Sequence, residues 1–186
     1  MKKADHDFVI RLCGGEPLHL IINGETDMKN IVVFDLDGTV IDSSHRHLSK
    51  PDGSIDLEHW RANCTYEKIM QDRLLPLARS MRNIYNAGSH VVICTARVLT
   101  EHDYAFFVRN KIPFHGILSR EGENDHRPDG RLKVELLTEY VQAQGYTCIK
   151  DAGIIMFDDN LKVIAALSAE GAICVNATKE NARLMA

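Results

Sequence analysis

The sequence predicts an α/β fold, a doubly wound and mainly parallel sheet, and three observations predict it. Short apolar runs rich in β-branched and aromatic residues recur at residues 31–34, 90–94 and 154–157, as expected of strands buried on both faces. Between them lie stretches whose apolar residues repeat at three and four, such as Leu77, Met81 and Ile84, or Leu132, Leu136 and Leu137, the spacing of one helix face. Glycines follow these stretches at Gly88, Gly145 and Gly171, where a helix ends most easily. Strands alternating with helices need crossover connections and therefore a parallel sheet.

In chain order, residues 1–29 form an N-terminal extension. Apolar segments from Asp7 to Leu12 and from Leu18 to Asn23 flank Cys13-Gly14-Gly15-Glu16-Pro17, which reads as a hairpin. A homo-oligomer, if the chain forms one, would assemble through this extension, and Met28 offers an alternative start. The core spans residues 30–177. Its first strand, Ile31-Val32-Val33-Phe34, runs into Asp35-Leu36-Asp37-Gly38-Thr39. Residues 42–73 are polar and form a small cap insert, with Leu57, Trp60 and Cys64 on one helical stripe. His45, Arg46, His47 and Lys50 are its positive groups, expected on a solvated loop.

A helix is expected from Asp72 through Tyr85, with Pro76 in its first turn, where proline is tolerated. The second strand ends at Thr95-Ala96-Arg97, and Thr100 with Asp103 forms a capping pair for the next helix. A short strand at residues 116–119 opens a polar loop containing Arg120 and Arg127. A helix from about Gly130 to Gln144 follows and carries Lys133. The fourth strand ends at Asp158-Asp159, Asn160 caps the next helix, and residues 172–175 form a fifth strand. Residues 178–186 are expected to be a C-terminal tail.

The bulk composition narrows the function. With 186 residues the chain is one domain with room for a real core. Lys plus Arg is 22 against 26 for Asp plus Glu, a net charge of −4, which is not the footprint of a strong duplex-DNA binder. Five scattered cysteines with no C-x-x-C pair fit buried thiols in a reducing compartment. No apolar run is long enough to span a membrane and no cleavable signal opens the chain. The chain therefore reads as cytoplasmic, with no membrane partner.

The chemistry concentrates where strands end. Asp35 and Asp37 stand two apart, so in an extended chain they point the same way. Carboxylates so placed need a cation between them or a proton on one. That arrangement suits a carboxylate nucleophile, a second carboxyl that carries a proton, and a divalent metal. Thr95, Arg97, Asp158 and Asp159 also follow buried strands, at the carboxyl ends of the strands where doubly wound folds place their sites. Lys133, in the first turn of its helix, adds a positive charge. A hydroxyl, a lysine, arginines and four carboxylates describe a phosphoryl-transfer site, and Mg²⁺ suits its oxygen donors. Cys94 reads as a small core residue, and the histidines lack the spacing of a zinc site.

The ordered set Asp35-x-Asp37-Gly38-Thr39, Thr95, Lys133 and Asp158-Asp159 resembles the four motifs of haloacid dehalogenase-type phosphatases. Within that superfamily it is most similar to the phosphatase domain of phage-type polynucleotide kinase-phosphatase. Thr95-Ala96-Arg97, Arg120-Glu121, the loop from Gly122 to Arg127, and Gly171-Ala172-Ile173-Cys174 carry that likeness. It covers residues 30–177, and no Gly-x-x-x-x-Gly-Lys-Ser/Thr stretch for a kinase half is present.

The resemblance implies Asp35 as nucleophile and Asp37 as general acid and base, with Thr95 and Lys133 on the phosphoryl oxygens. It implies Mg²⁺ among Asp35, the Asp37 carbonyl and Asp158 or Asp159, and substrate contacts from Arg97, Arg120 and Arg127. The expected partner is a nucleotide or a nucleic-acid phosphate end, with 3′-phosphates implied first and deoxyribonucleoside 5′-monophosphates as the alternative. A phospho-accepting receiver domain uses similar groups. It places its acidic pair at the first strand and its lysine near the end, whereas here Lys133 precedes Asp158.

Overall fold

The computed structural model describes residues 7–11, 17–21, 31–51 and 55–186. Strands β1 (Asp7–Arg11) and β2 (Pro17–Ile21) pair antiparallel, Asp7 opposite Ile21, the hairpin expected of the extension. Cys13, Met28 and the connecting residues lie outside the described ones, as do the side chains through which a second copy was expected to dock.

The core is a five-stranded, all-parallel sheet in the order β7-β6-β3-β8-β9. Its central strand, β3 (Ile31–Phe34), is buried throughout, and its side chains alternate between two cores. Val32 and Phe34 face one cluster, Ile31 and Val33 the other. This is why the run has no polar interruption.

After β3 the chain turns tightly, with the amides of Thr39, Val40 and Ile41 converging on the Leu36 carbonyl at 3.2, 3.0 and 2.9 Å. A two-residue strand β4 (Ile41–Asp42) leads into a 3₁₀ turn, Ser44–Arg46. The insert then forms two short helices, α1 (Leu57–Ala62) and α2 (Tyr66–Ile69). Asp56 and Thr65 cap them by accepting from backbone amides, as N-cap residues do. The insert closes at β5 (Arg73–Leu74), which pairs antiparallel with β4. Leu74 is therefore a strand residue opposite Ile41. The helix expected from Asp72 begins only after Pro76, as α3 (Leu77–Asn86), because proline has no amide to continue a helix begun earlier.

Strand β6 (His90–Val98) runs past Cys94 to carry Thr95 and Arg97, with a register shift against its neighbour between Cys94 and Val98. Helix α4 (Glu101–Arg109) starts at a capping box of Thr100 and Asp103. Then follow β7 (Gly116–Arg120), α5 (Asp129–Ala143), β8 (Ile155–Asp158), α6 (Leu161–Ala169) and β9 (Ile173–Asn176). Asn160 caps α6, accepting from the Lys162 amide at 2.9 Å.

The residues expected to be a tail form a nine-residue helix instead, α7 (Ala177–Met185), with Glu180 and Asn181 buried. Asn181 accepts from the Leu77 amide at 2.9 Å and donates to the Thr39 carbonyl at 2.9 Å. The C-terminal helix thus holds both the uncapped start of α3 and the turn that follows Asp37. Helices α5 and α6 pack on the opposite side from α3, α4 and α7, so the sheet is wound on both faces. Among the described residues no helix is long and apolar enough to cross a membrane.

Candidate active site

Three neighbouring strands, β6, β3 and β8, deliver their C-terminal residues to one place. Asp35 follows β3, 6% exposed, and its amide donates to Phe157 O at 3.0 Å. Asp158 ends β8 and is fully buried. Lys133, from the first turns of α5, reaches between them. Its Nζ donates to Asp35 Oδ1 at 2.6 Å and to Asp158 Oδ2 at 2.7 Å.

Burial pushes the Asp35 carboxyl up to about 8, with Lys133 opposing and the nearby Asp158 and Asp37 adding to the rise. Burial acts against the Lys133 charge, and the two carboxylates outweigh it, so the ammonium is held ionised. One ammonium between two buried acids cannot offset both charges, which is why the Asp35 carboxyl holds its proton so far above the usual range.

Among the described residues, Asp35, Asp158 and Asp159 each bring a carboxylate oxygen within 4.8 Å of the others. An oxygen-only donor set fits a hard divalent cation such as Mg²⁺ and does not suit zinc or copper. Gly38 makes room for the Asp159 side chain. Its φ is +72°, and a Cβ there would overlap the Asp159 carboxylate. A glycine is needed for the backbone and for the approach alike.

Asp37 has a different environment. It accepts from Ser43 Oγ at 2.5 Å, from Arg97 Nε at 3.1 Å and from Arg97 Nη2. Burial pushes its carboxyl up, but the Arg97 guanidinium and the Ser43 hydroxyl outweigh burial and hold it below the usual range. Arg97 is itself buried and bonded at its other end to Asp103. Thr95 is 1% exposed, and its Oγ1 accepts from the Arg97 amide at 3.2 Å. Cys94 beside it is buried and its thiol is pushed up to about 12 by burial, which makes it inert.

The other two arginines are occupied by the protein. Arg120 donates to the carbonyls of Ala96, Asp125 and Arg127 at 2.9, 2.6 and 3.0 Å, and to Asp129 Oδ1 at 3.0 Å. Arg127 binds Asp125 at 3.0 and 2.7 Å and Glu135 at 2.6 Å. The structure therefore gathers Asp35, Asp158, Asp159 and Lys133 directly, with Asp37 and Arg97 alongside. Arg120 and Arg127 organise the loop between β7 and α5.

The insert departs furthest from expectation. Arg46 is fully buried, not solvated, and donates to Asp72 at 2.9 and 2.7 Å. Its guanidinium lies 4.3 Å from the Trp60 ring centroid, a cation–π contact. Ser43 and His47 reach the site as well. A hydroxyl and an imidazole in a polar loop carry no sequence signal that separates them from solvated neighbours.

With this geometry in view, comparison with known proteins is decisive for the family. A family model described as Bacteriophage T5 5'-deoxynucleotidase matches residues 22–186. The chain belongs to that family. It is 39% identical over 83 residues to the 5'-deoxynucleotidase of Escherichia phage T5, a stretch covering 42% of this chain and 34% of that protein. The match thus spans about a third of the curated relative.

Solved structures share the fold. One is the Pnkp1/Rnl/Hen1 RNA repair complex, whose matched chain has a TM-score of 0.59 and 23% identity, covering 82% of this chain and 43% of that one. Another is a haloacid dehalogenase-like hydrolase from Streptococcus pneumoniae, with a TM-score of 0.56 and 16% identity, covering 80% and 84%. The architecture is haloacid dehalogenase-like, as the motifs implied.

Proposed function

We propose that this chain is a Mg²⁺-dependent phosphomonoesterase that hydrolyses deoxyribonucleoside 5′-monophosphates through a phosphorylated Asp35. The observation that carries the reading is Asp35 itself, a buried carboxylate at a strand end, held by Lys133 and facing a carboxylate cluster. The substrate class rests on the family match and the 39%-identical stretch shared with a 5'-deoxynucleotidase. The resemblance to the phosphatase domain of polynucleotide kinase-phosphatase, taken alone, implies 3′-phosphate ends first. Arg97 and Arg120 have donors engaged within the protein, which leaves them less free to hold the flanks of a nucleic-acid end and supports the mononucleotide reading.

In this mechanism Asp35 uses a carboxylate oxygen to attack phosphorus, and the ester P–O bond breaks. The dianionic phosphate bound beside Asp37 raises its proton affinity against the hold of Arg97. Asp37 therefore takes up a proton with the substrate and gives it to the departing sugar oxygen, and the nucleoside leaves as an alcohol. A water then attacks the aspartyl-phosphate and passes its proton to Asp37. Inorganic phosphate leaves and the Asp35 carboxylate is restored. Lys133 offsets the phosphoryl charge and keeps Asp35 oriented, and Thr95 lines the same strand end. Asp35, Asp158, Asp159 and the Asp37 carbonyl would hold Mg²⁺, which supplies Lewis-acid stabilisation of the phosphoryl oxygens.

The test is a rate screen of deoxyribonucleoside 5′-monophosphates, ribonucleotides and a 3′-phosphorylated oligonucleotide, with Mg²⁺ and with EDTA. The expected outcome is Mg²⁺-dependent release of phosphate from the deoxynucleotides and none from Asp35→Asn, whose circular dichroism stays native. Faster turnover of the 3′-phosphorylated oligonucleotide would overturn the substrate assignment, and an active Asp35→Asn would remove the nucleophile.

A further inference from the structure

We infer that His47 is a positioning residue that acts through Ser43 to fix the Asp37 carboxylate, so that the small insert sets the geometry of proton transfer. This rests on the role of Asp37 proposed above. The Ser43 hydroxyl is 1% exposed and has one proton to give. Asp37 Oδ1 lies 2.5 Å away and, as a carboxylate, can only accept. The proton therefore points at Asp37, and the Ser43 oxygen is left to accept. His47 Nε2 stands 3.2 Å from that oxygen and must be the donor. Both bonds run the same way, from His47 to Ser43 to Asp37, and such a chain polarises along its length.

The insert is built to hold His47 in place. The imidazole meets the Trp60 ring edge-on at 4.8 Å, and Arg46 covers Trp60 while locked on the buried Asp72. The consequence at Asp37 is an asymmetry between its oxygens. Oδ1 takes Ser43 and Arg97 Nη2, whereas Oδ2 takes Arg97 Nε alone, at 3.1 Å. Oδ2 is the less engaged oxygen and the one free to exchange a proton with the leaving group. Without the Ser43 bond the carboxylate is anchored by Arg97 only and can rotate in that grip.

The experiment compares His47→Ala, His47→Gln and Ser43→Ala with the parent, each first confirmed folded by circular dichroism. Two substrates separate positioning from structure. A deoxyribonucleoside 5′-monophosphate needs a proton on its leaving oxygen, whereas p-nitrophenyl phosphate does not. The expected result is about a tenfold loss of nucleotide turnover in His47→Ala and Ser43→Ala. The p-nitrophenolate burst stays within about twofold, since that step needs no acid. Glutamine keeps an N–H donor, so His47→Gln recovers most of the loss.

Equal losses on both substrates, no loss on either, or a glutamine variant as poor as alanine would each overturn the inference while leaving Asp35 as nucleophile. A parent inactive on both substrates with Mg²⁺ overturns the phosphatase reading, and this role falls with it.

Discussion

Replacing Lys133 by methionine keeps a long apolar stem and removes one buried positive charge. Its Nζ lies 2.6 Å from Asp35 and 2.7 Å from Asp158, and all three side chains are at least nine-tenths buried. Neither carboxylate can turn to water in exchange. Breaking a buried ion pair from one side costs about 3–5 kcal/mol, because the partner charge is stranded. For a chain of this length 1 kcal/mol moves the melting temperature by about 2–4 °C. The expected loss in EDTA is therefore about 6–20 °C. A divalent cation among Asp35, Asp158 and Asp159 would replace part of the missing charge, so millimolar Mg²⁺ should narrow the gap between variant and parent. The assay is thermal unfolding by circular dichroism, in EDTA and in Mg²⁺. A variant melting within about 2 °C of the parent in EDTA would refute the idea that this ammonium holds the two acids together.

Gly38→Ala forces a side chain into a left-handed backbone position, which costs about 1–2 kcal/mol, and onto the Asp159 carboxylate. The Mg²⁺ concentration for half-maximal activity should rise about tenfold; an unchanged value would take Asp159 out of the cation site. Asn181→Ala strands the Leu77 amide and the Thr39 carbonyl, at about 1–3 kcal/mol each. Urea unfolding should then show a loss of about 2–6 kcal/mol, and a loss below about 1 kcal/mol would mean that water replaces the amide. Stability should also depend on pH through Asp35, whose folded pKa is raised from 3.8 to about 8. The folded state keeps a proton that the unfolded chain loses, so this contribution is complete below the unfolded value and falls as pH rises through the folded one. In EDTA the parent should lose stability between about pH 4 and 8, with a slope of at most about 1.4 kcal/mol per pH unit. Asp35→Asn should flatten that slope, and identical slopes would assign it to other groups.

Much of the fold was legible because its causes are local. The alternation of Val32 and Phe34 against Ile31 and Val33 between two cores demands an uninterrupted apolar run. The capping box at Thr100 and the cap at Asn160 use residues two or three apart. The misreadings fell where distant partners decide. Leu74 follows a helical pattern, yet it pairs with Ile41. The last residues looked like a tail because the bonds of Asn181 go to Leu77 and Thr39, more than a hundred positions away.

The candidate site divides in the same way. By itself the sequence determined which carboxylates stand at strand ends, since a buried strand followed by Asp35-Leu36-Asp37-Gly38 can hardly place them elsewhere. Tertiary structure alone decided what the cations do. Arg97, Arg120 and Arg127 look alike in sequence, but one grips Asp37 and the others bind their own loop. Arg46 looked solvated and is fully buried on Asp72. A long charged side chain takes whichever acid the fold brings within reach, and chain neighbours do not record that choice.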